Sequence, residues 1–306
     1  MYNVKMKKAL TYGIVSSMFF AITFILNRSM NLEGSFWMWG ACLRYIITLP
    51  MLALILALRP GRGVRNTIEE VKRQPRMWLL WGTVGFGLFY LPLCLASVFG
   101  ESWMTASSWQ MTIIAGAIMT PLFGKAVPRK NILAGLIILA GIFMMQVPSI
   151  SGDNLKGNLL ALIPIAIGAF CYPLGNRKVM TYCSEAMDTM ERIFGMVIGS
   201  YPFWIAVAII AFVVSGPPAI SQIIKSGTVA LVSGIIATSM LFHGTDLVRN
   251  NPKQLALVES TQCGEVVFTL IGGVVLLGDA FPQPIALAGI GVIVAGMVLN
   301  SILSAD

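Results

Sequence analysis

The chain has 306 residues, of which 57% are hydrophobic and only 11% charged, with a mean hydropathy of +0.80. A soluble globular domain carries roughly twice that charged fraction, so composition excludes one and leaves an integral membrane protein. The net charge of +8 falls in short gaps between apolar runs, where it reads as a topology signal rather than as a surface for nucleic acid.

In chain order the apolar runs cover residues 9–30, 36–58, 77–99, 103–124, 132–147, 159–175, 193–214, 229–247, 255–277 and 285–303. Those ten runs predict ten transmembrane helices. Lys5, Lys7 and Lys8 precede the first run, which ends at Asn27-Arg28 without a small-residue cleavage site, so it reads as a retained helix rather than a signal peptide. With the N-terminus inside, most Lys and Arg fall in inner gaps, among them Arg59, Arg65, Lys72, Arg73, Arg76, Lys130, Arg177 and Lys178. Only Arg28, Lys156 and Lys225 fall outside. The asymmetry predicts a multi-pass protein of the cytoplasmic (inner) membrane with both termini in the cytoplasm.

The five cysteines, Cys42, Cys94, Cys171, Cys183 and Cys263, sit mostly within the runs and offer no disulfide framework. Six prolines inside runs, Pro50, Pro92, Pro121, Pro164, Pro173 and Pro202, predict kinked helices around a cavity.

The halves resemble each other. Asn27-Arg28 answers Asn176-Arg177, Arg44 answers Arg192, and Ser108-Trp109-Gln110 answers Ser260-Thr261-Gln262. Ala134-Gly135 and Ala140-Gly141 answer Ala288-Gly289 and Ala295-Gly296. These matches keep their order and nearly constant displacement, which predicts a duplicated five-helix unit over residues 1–150 and 151–306. Five is odd, so the second copy is inverted in the membrane, the build of many alternating-access transporters. The small-residue faces of the fifth and tenth runs could join the halves or two protomers of a homodimer.

The five-plus-five pattern, the basic loop after the second run, Arg44 and the glycine-rich fifth and tenth runs together resemble the drug/metabolite transporter superfamily. The likeness is to its ten-helix members built from two EamA-like repeats, in the multidrug-resistance efflux branch. It covers essentially the whole chain. It implies a central cavity lined mainly by the first, third, fourth, sixth, eighth and ninth helices. In the small four-helix relatives a first-helix Glu couples protons to cationic drugs, whereas this chain has no acid in its first run.

The acid that remains deep in a run is Glu265, where insertion costs about 3 kcal/mol unless a cavity or partner receives it. It is the candidate for binding a cation or carrying a proton, since a carboxyl in low dielectric can switch its charge. The structural alternative is an ion pair with Arg44. Glu259 precedes it by six residues, and a spacing of three places Glu259, Gln262 and Glu265 on one slowly drifting face, making Glu259 either a gate contact or a solvated helix-end acid. Gln110 and Gln262 recur in both halves as candidate cavity hydrogen bonders or interhelical ties. Trp109, Tyr90 and Tyr172 lie deep enough to form an aromatic wall for an organic cation. Trp37, Trp39 and Trp103 lie near membrane borders and read as belt anchors.

His243, the sole histidine, and Asp246 read as an interfacial pair, and Asp188, Glu191 and Arg192 as a solvated helix start. No two-histidine metal site, serine-nucleophile elbow or ATP-binding loop occurs, which argues against an enzyme and against any cofactor. The expected function is a secondary transporter exporting a small organic solute, cationic or amphipathic, in exchange for protons. Its expected partners are that solute, protons and the lipid bilayer. Uptake or facilitated diffusion of choline, an amino acid or a nucleobase is the second reading, and a non-transporting receptor or assembly protein the third.

Overall fold

Runs this apolar can satisfy their backbone groups away from water only as helices or closed barrels, and every regular element among the described residues is helical. The computed structural model describes residues 2–59, 63–124, 129–150, 155–184, 187–248 and 250–303. Among them, nine helices are long and apolar enough to cross a membrane. This is a multi-pass membrane protein. Side chains such as Val213, Val275 and Leu276 stay more than two-thirds exposed, which an aqueous surrounding would oppose and a lipid one accepts.

Helix α1 covers Tyr2–Leu32, α2 Trp37–Ala57 and the short α3 Val64–Arg73. Helix α4 covers Pro75–Phe99 and widens into a π-helical stretch at Thr83–Gly87. The next apolar run is broken: α5 covers Ser102–Trp109, α6 Met111–Ile118, and a 3-10 turn Thr120–Phe123 follows. Pro121, expected inside a helix, lies in that turn. Helix α7 covers Arg129–Ile150, α8 Leu155–Tyr182 and α9 Thr189–Ser215. Helix α10, Ile220–Asp246, carries a longer π-helical stretch at Val229–Ala237. Helix α11, Gln254–Leu277, tightens to a 3-10 turn at Thr261–Cys263 and widens at Gly273–Leu277. Helix α12 covers Pro284–Leu303.

Several helices outrun the apolar segments that predict them. Asn27 and Arg28 do not end α1, and Asn176 and Arg177 do not end α8. The reason is local pairing: Arg177 Nη1 donates to the Gly116 carbonyl at 2.6 Å, and Lys178 lies 5.3 Å from the Phe123 ring. Helix α10 likewise begins nine residues early because Gln222 is buried and donates to the Phe36 carbonyl at 2.9 Å.

The contacts define two ends of the bundle. At the near end Arg59 pairs with Asp188 at 3.3 Å, and Gln74 Nε2 donates to the Tyr182 carbonyl at 3.3 Å. Ala9 of α1 packs there on Val248 and Val258. At the far end Arg28 pairs with Asp279 at 3.7 Å, and Lys225 pairs with Glu33. Ser102 binds far-end Asp279 and Phe123 lies beside near-end Lys178, so the broken run passes from one end to the other.

Beside the small cluster of Ala9, Val248 and Val258, packing divides into two larger cores. The larger joins α2, α4, α8 and α9 around Trp78, Tyr90, Val197 and Trp204. The smaller joins α5, α7, α11 and α12 around Ile138, Met145, Val266 and Ile293. Helices α7 and α12 meet backbone to backbone: a Cβ on Gly289 would stand 2.6 Å from the Gly141 carbonyl oxygen, and one on Gly141 2.7 Å from the Gly289 oxygen. Only glycine permits that approach. The small-residue faces expected to join halves or protomers join these two helices within one chain.

Candidate functional site

A cavity of about 530 Å³ opens beside the larger core, a size suited to a small organic ligand. Helices α1, α2, α4, α5, α6, α8, α9, α10 and α11 all contribute to it, whereas α7 and α12 supply no lining residue among those described. Its wall reaches Thr189 and Arg192, close to the near-end Asp188. At the far end Arg28 with Asp279 and Lys225 with Glu33 tie neighbouring segments of the bundle together.

Two segments depart from regular helix where they meet the cavity. Phe86 comes from the π-helical stretch of α4, and Ser233 and Gly234 from that of α10. Such stretches re-aim side chains and free backbone groups, and they concentrate at functional sites. Ser233 is held by the Thr23 hydroxyl, which donates to it at 2.6 Å across from α1.

Three rings form one wall. Phe89 lies 4.9 Å from both Trp109 and Tyr172, and those two lie 5.7 Å apart in an edge arrangement. All three line the cavity. Trp109 ends α5 at the break before Gln110, so the interruption turns its ring toward the void.

Glu265 lines the cavity from the first turn of the α11 segment that follows the 3-10 turn. No hydrogen bond or salt bridge among the described residues engages its carboxylate. Arg44 lines the same cavity, and the ion pair weighed between them does not form. Instead the guanidinium lies 4.2 Å from the Tyr90 ring centroid and 5.7 Å from that of Tyr45.

Gln262 also faces the cavity, and its amide donates to Ser16 Oγ at 3.1 Å and to the Gly13 carbonyl at 3.4 Å, holding α11 to α1. Gln110 behaves differently. It is buried and donates to the Ala106 carbonyl of its own helix at 3.2 Å, away from the cavity lining.

Tyr90 is wholly buried beneath Arg44 and donates to Asn27 Oδ1 at 3.1 Å, so it supports the wall without forming it. Glu259 is exposed and lies outside the lining. Each α-helical residue turns about 100°, so six residues leave Glu259 about 120° from Glu265 rather than on one face.

His243 stacks edge-on with Tyr12 at 4.9 Å, and no bond between His243 and Asp246 occurs among the described residues. Trp39 and Trp103 are buried rather than in a lipid belt, donating to the Gly216 and Ala280 carbonyls at 3.0 and 3.1 Å. All five cysteines are free, and no metal-binding cluster occurs among the described residues.

Sequence reasoning missed Arg192, which reads as part of a solvated helix start. Asp188 and Glu191 do form the reciprocal cap of α9, at 2.9 and 3.0 Å, but Arg192 turns into the cavity mouth with Nη2 donating to Thr189 Oγ1 at 3.0 Å. It also missed Asp279. Its signal was an acid in a far-end turn on the side predicted for Arg28.

The chain is 40% identical over 312 residues to the uncharacterized protein YjlA of Bacillus subtilis (strain 168), covering 97% of this chain and 95% of that one. It is 35% identical over 276 residues to an uncharacterized 42.1 kDa protein of Shouchella clausii, covering 87% and 72%. A solved crystal structure superposes at a TM-score of 0.62 with 13% identity, covering 97% of this chain and 98% of the other, which is a likeness of fold. The family profile described as EmrE, "Putative multidrug resistance efflux transporter", matches residues 7–306, and the chain belongs to that family.

Proposed function

We propose that this chain is a secondary transporter that exports a small organic solute bearing a positive charge, in exchange for protons, by alternating access. The observation that carries this reading is Glu265: a carboxylate without a hydrogen-bond or ion-pair partner among the described residues, inside an apolar bundle and facing a ring-walled cavity. A carboxylate placed there at a cost of about 3 kcal/mol is offset only when it holds a cation or a proton. Because it holds one or the other, entry of the solute displaces the proton and the two fluxes are coupled.

The broken run from Ser102 to Phe123 is the tenth span in this reading, and residues 1–150 and 151–306 are inverted copies. Equivalent interruptions support it. Gln110 sits at the α5–α6 break and Gln262 in the 3-10 turn of α11, while the third and eighth runs each carry a π-helical stretch. The near end, rich in Arg and Lys, is cytoplasmic, both termini are inside, and the membrane is the cell's inner one. The cavity then faces the cytoplasm with its outer side shut. Its lining comes from nine helices of one chain, which supports a transport unit of a single protomer.

Reconstituted protein should accumulate tetraphenylphosphonium, a rigid organic cation, when a proton gradient is imposed across the liposome. Glu265→Gln should abolish the gradient-driven part of the flux. Equal dependence on the gradient in both proteins would remove Glu265 from the coupling step.

A further inference from the structure

Transport of a simple cation leaves Arg44 without a role. The salt bridges among the described residues pair Arg28, Arg59, Arg65, Arg73 and Lys225 with carboxylates, and among those residues no carboxylate stands within salt-bridge distance of Arg44. A guanidinium deep in an apolar bundle without an anion is costly, and such groups mark ligand paths. This one is held in place. Tyr90, on which it lies, is anchored by its hydrogen bond to Asn27, and Tyr45 stacks on Trp204 at 4.7 Å and 8° between planes. A guanidinium held beside these rings, with five N–H donors and no carboxylate on them among the described residues, has the donor set that grips a carboxylate with two parallel bonds.

Glu265 presents the opposite charge to the same void. Tyr172 lines the cavity with both groups, and its ring belongs to the wall formed with Phe89 and Trp109. A solute that is only cationic would meet Arg44 in low dielectric, and one that is only anionic would meet Glu265. A solute with both charges satisfies both. Arg192 stands at the mouth and is engaged by Thr189, so Arg44 is the cation of the inner cavity.

We infer that the transported solute is a zwitterion: its carboxylate binds Arg44, its ammonium binds Glu265, and its apolar or aromatic body lies against Phe89, Trp109 and Tyr172. This rests on the transport reading above and narrows its substrate class. The ring wall suits an ammonium and a planar body equally, since both are attracted to aromatic faces.

Two matched series test it on the full-length protein in detergent and in liposomes. The first is L-phenylalanine, its methyl ester and 3-phenylpropionate. The second is 4-(trimethylammonio)butyrate, its methyl ester and 5-methylhexanoate. In at least one series the zwitterion should bind roughly tenfold or more tightly than either single-charge analogue, the yield of one charge-assisted contact. Arg44→Gln should lower the zwitterion to the affinity of its ester while leaving the ester unchanged, and Arg44→Lys should restore part of the difference. Glu265→Gln should lower it to the affinity of the acid.

Esters binding as tightly as zwitterions in both series, or no member binding, would overturn the inference, and the wild-type comparison decides this even if a variant fails to fold. Proton-driven flux of tetraphenylphosphonium alongside that result would leave the transport reading standing. Absence of any solute flux would remove both.

Discussion

Asp279 is the buried anchor of Arg28. Their charged groups stand 3.7 Å apart with the Asp279 side chain 1% exposed, and its Oδ2 accepts from the Ser102 amide at 2.9 Å and the Ser102 hydroxyl at 2.6 Å. One carboxylate therefore ties the end of α1, the start of α5 and the turn before α12. Arg28 adds a bond to the Val98 carbonyl at 3.3 Å, extending the tie to the end of α4. In alternating access this cluster must break when the far end opens. Asp279→Asn keeps acceptors for Ser102 but leaves the Arg28 charge uncompensated, a loss on the order of 2 kcal/mol, or about thirtyfold in the closed-to-open ratio. Cys94, 2% exposed and close to the far-end Ser97, is the native reporter. Membrane-impermeant maleimide should label Cys94 many-fold faster in the variant, as read by peptide mass spectrometry, and equal rates would show that the cluster does not hold that end shut.

The meeting of Gly141 and Gly289 makes a sharper stability prediction than any core side chain. A methyl group on Gly289 would stand 2.6 Å from the Gly141 oxygen and 2.7 Å from the Met145 nitrogen, so the backbones must part. Overpacking of this kind costs about 1–3 kcal/mol. Gly291, two residues on, has nothing within 4 Å of its would-be Cβ. Gly289→Ala should therefore lower the thermal unfolding temperature in detergent by several degrees, whereas Gly291→Ala should leave it unchanged or raised.

The small residues two turns apart in the fifth and tenth runs and the one acid inside an apolar run were legible as local patterns, although the first did not fix whether those faces join halves or protomers. What the sequence hid depends on departures from regular helix. Gln110 and Gln262 hold matched positions, yet the break at Gln110 leaves its amide bonded to its own helix, while the tight turn at Thr261–Cys263 points Gln262 across to α1. Arg192 read as solvent-facing because a helix start next to a charged loop normally is. Arg28 with Asp279, and Arg44 on Tyr90, are tertiary pairings of residues far apart in the chain.

That difference between the glutamines is measurable. Gln262→Ala removes two bonds between α11 and α1 at the cavity wall, each worth about 0.6–2 kcal/mol between membrane helices. The KM for a transported solute should rise roughly three- to tenfold, with the Tm falling. Gln110→Ala removes a bond within one helix and faces no ligand, so its KM should stay within about twofold. Equal effects would mean that Gln110 reaches the solute in another conformation of the cycle.

Trp109 separates a packing role from a binding one. Its ring contacts Phe89 at 4.9 Å and Tyr172 at 5.7 Å, and it remains partly open to the cavity. If the ring meets a cation, Trp109→Phe keeps an apolar body but weakens the π face, and Trp109→Ala removes both. Cation–π contact out of water is worth about 1–2 kcal/mol, so affinity should fall stepwise, by roughly five- to thirtyfold for alanine and less for phenylalanine. Stability should follow another order. Phenylalanine fills most of the space beside Phe89, so its Tm should match the wild type, while alanine leaves a void next to two rings and should lower it. Calorimetric titration of the same charged probe into the three proteins gives the first order, and thermal unfolding without ligand gives the second. A phenylalanine variant with wild-type affinity would make Trp109 a spacer that shapes the cavity without touching the charge it receives.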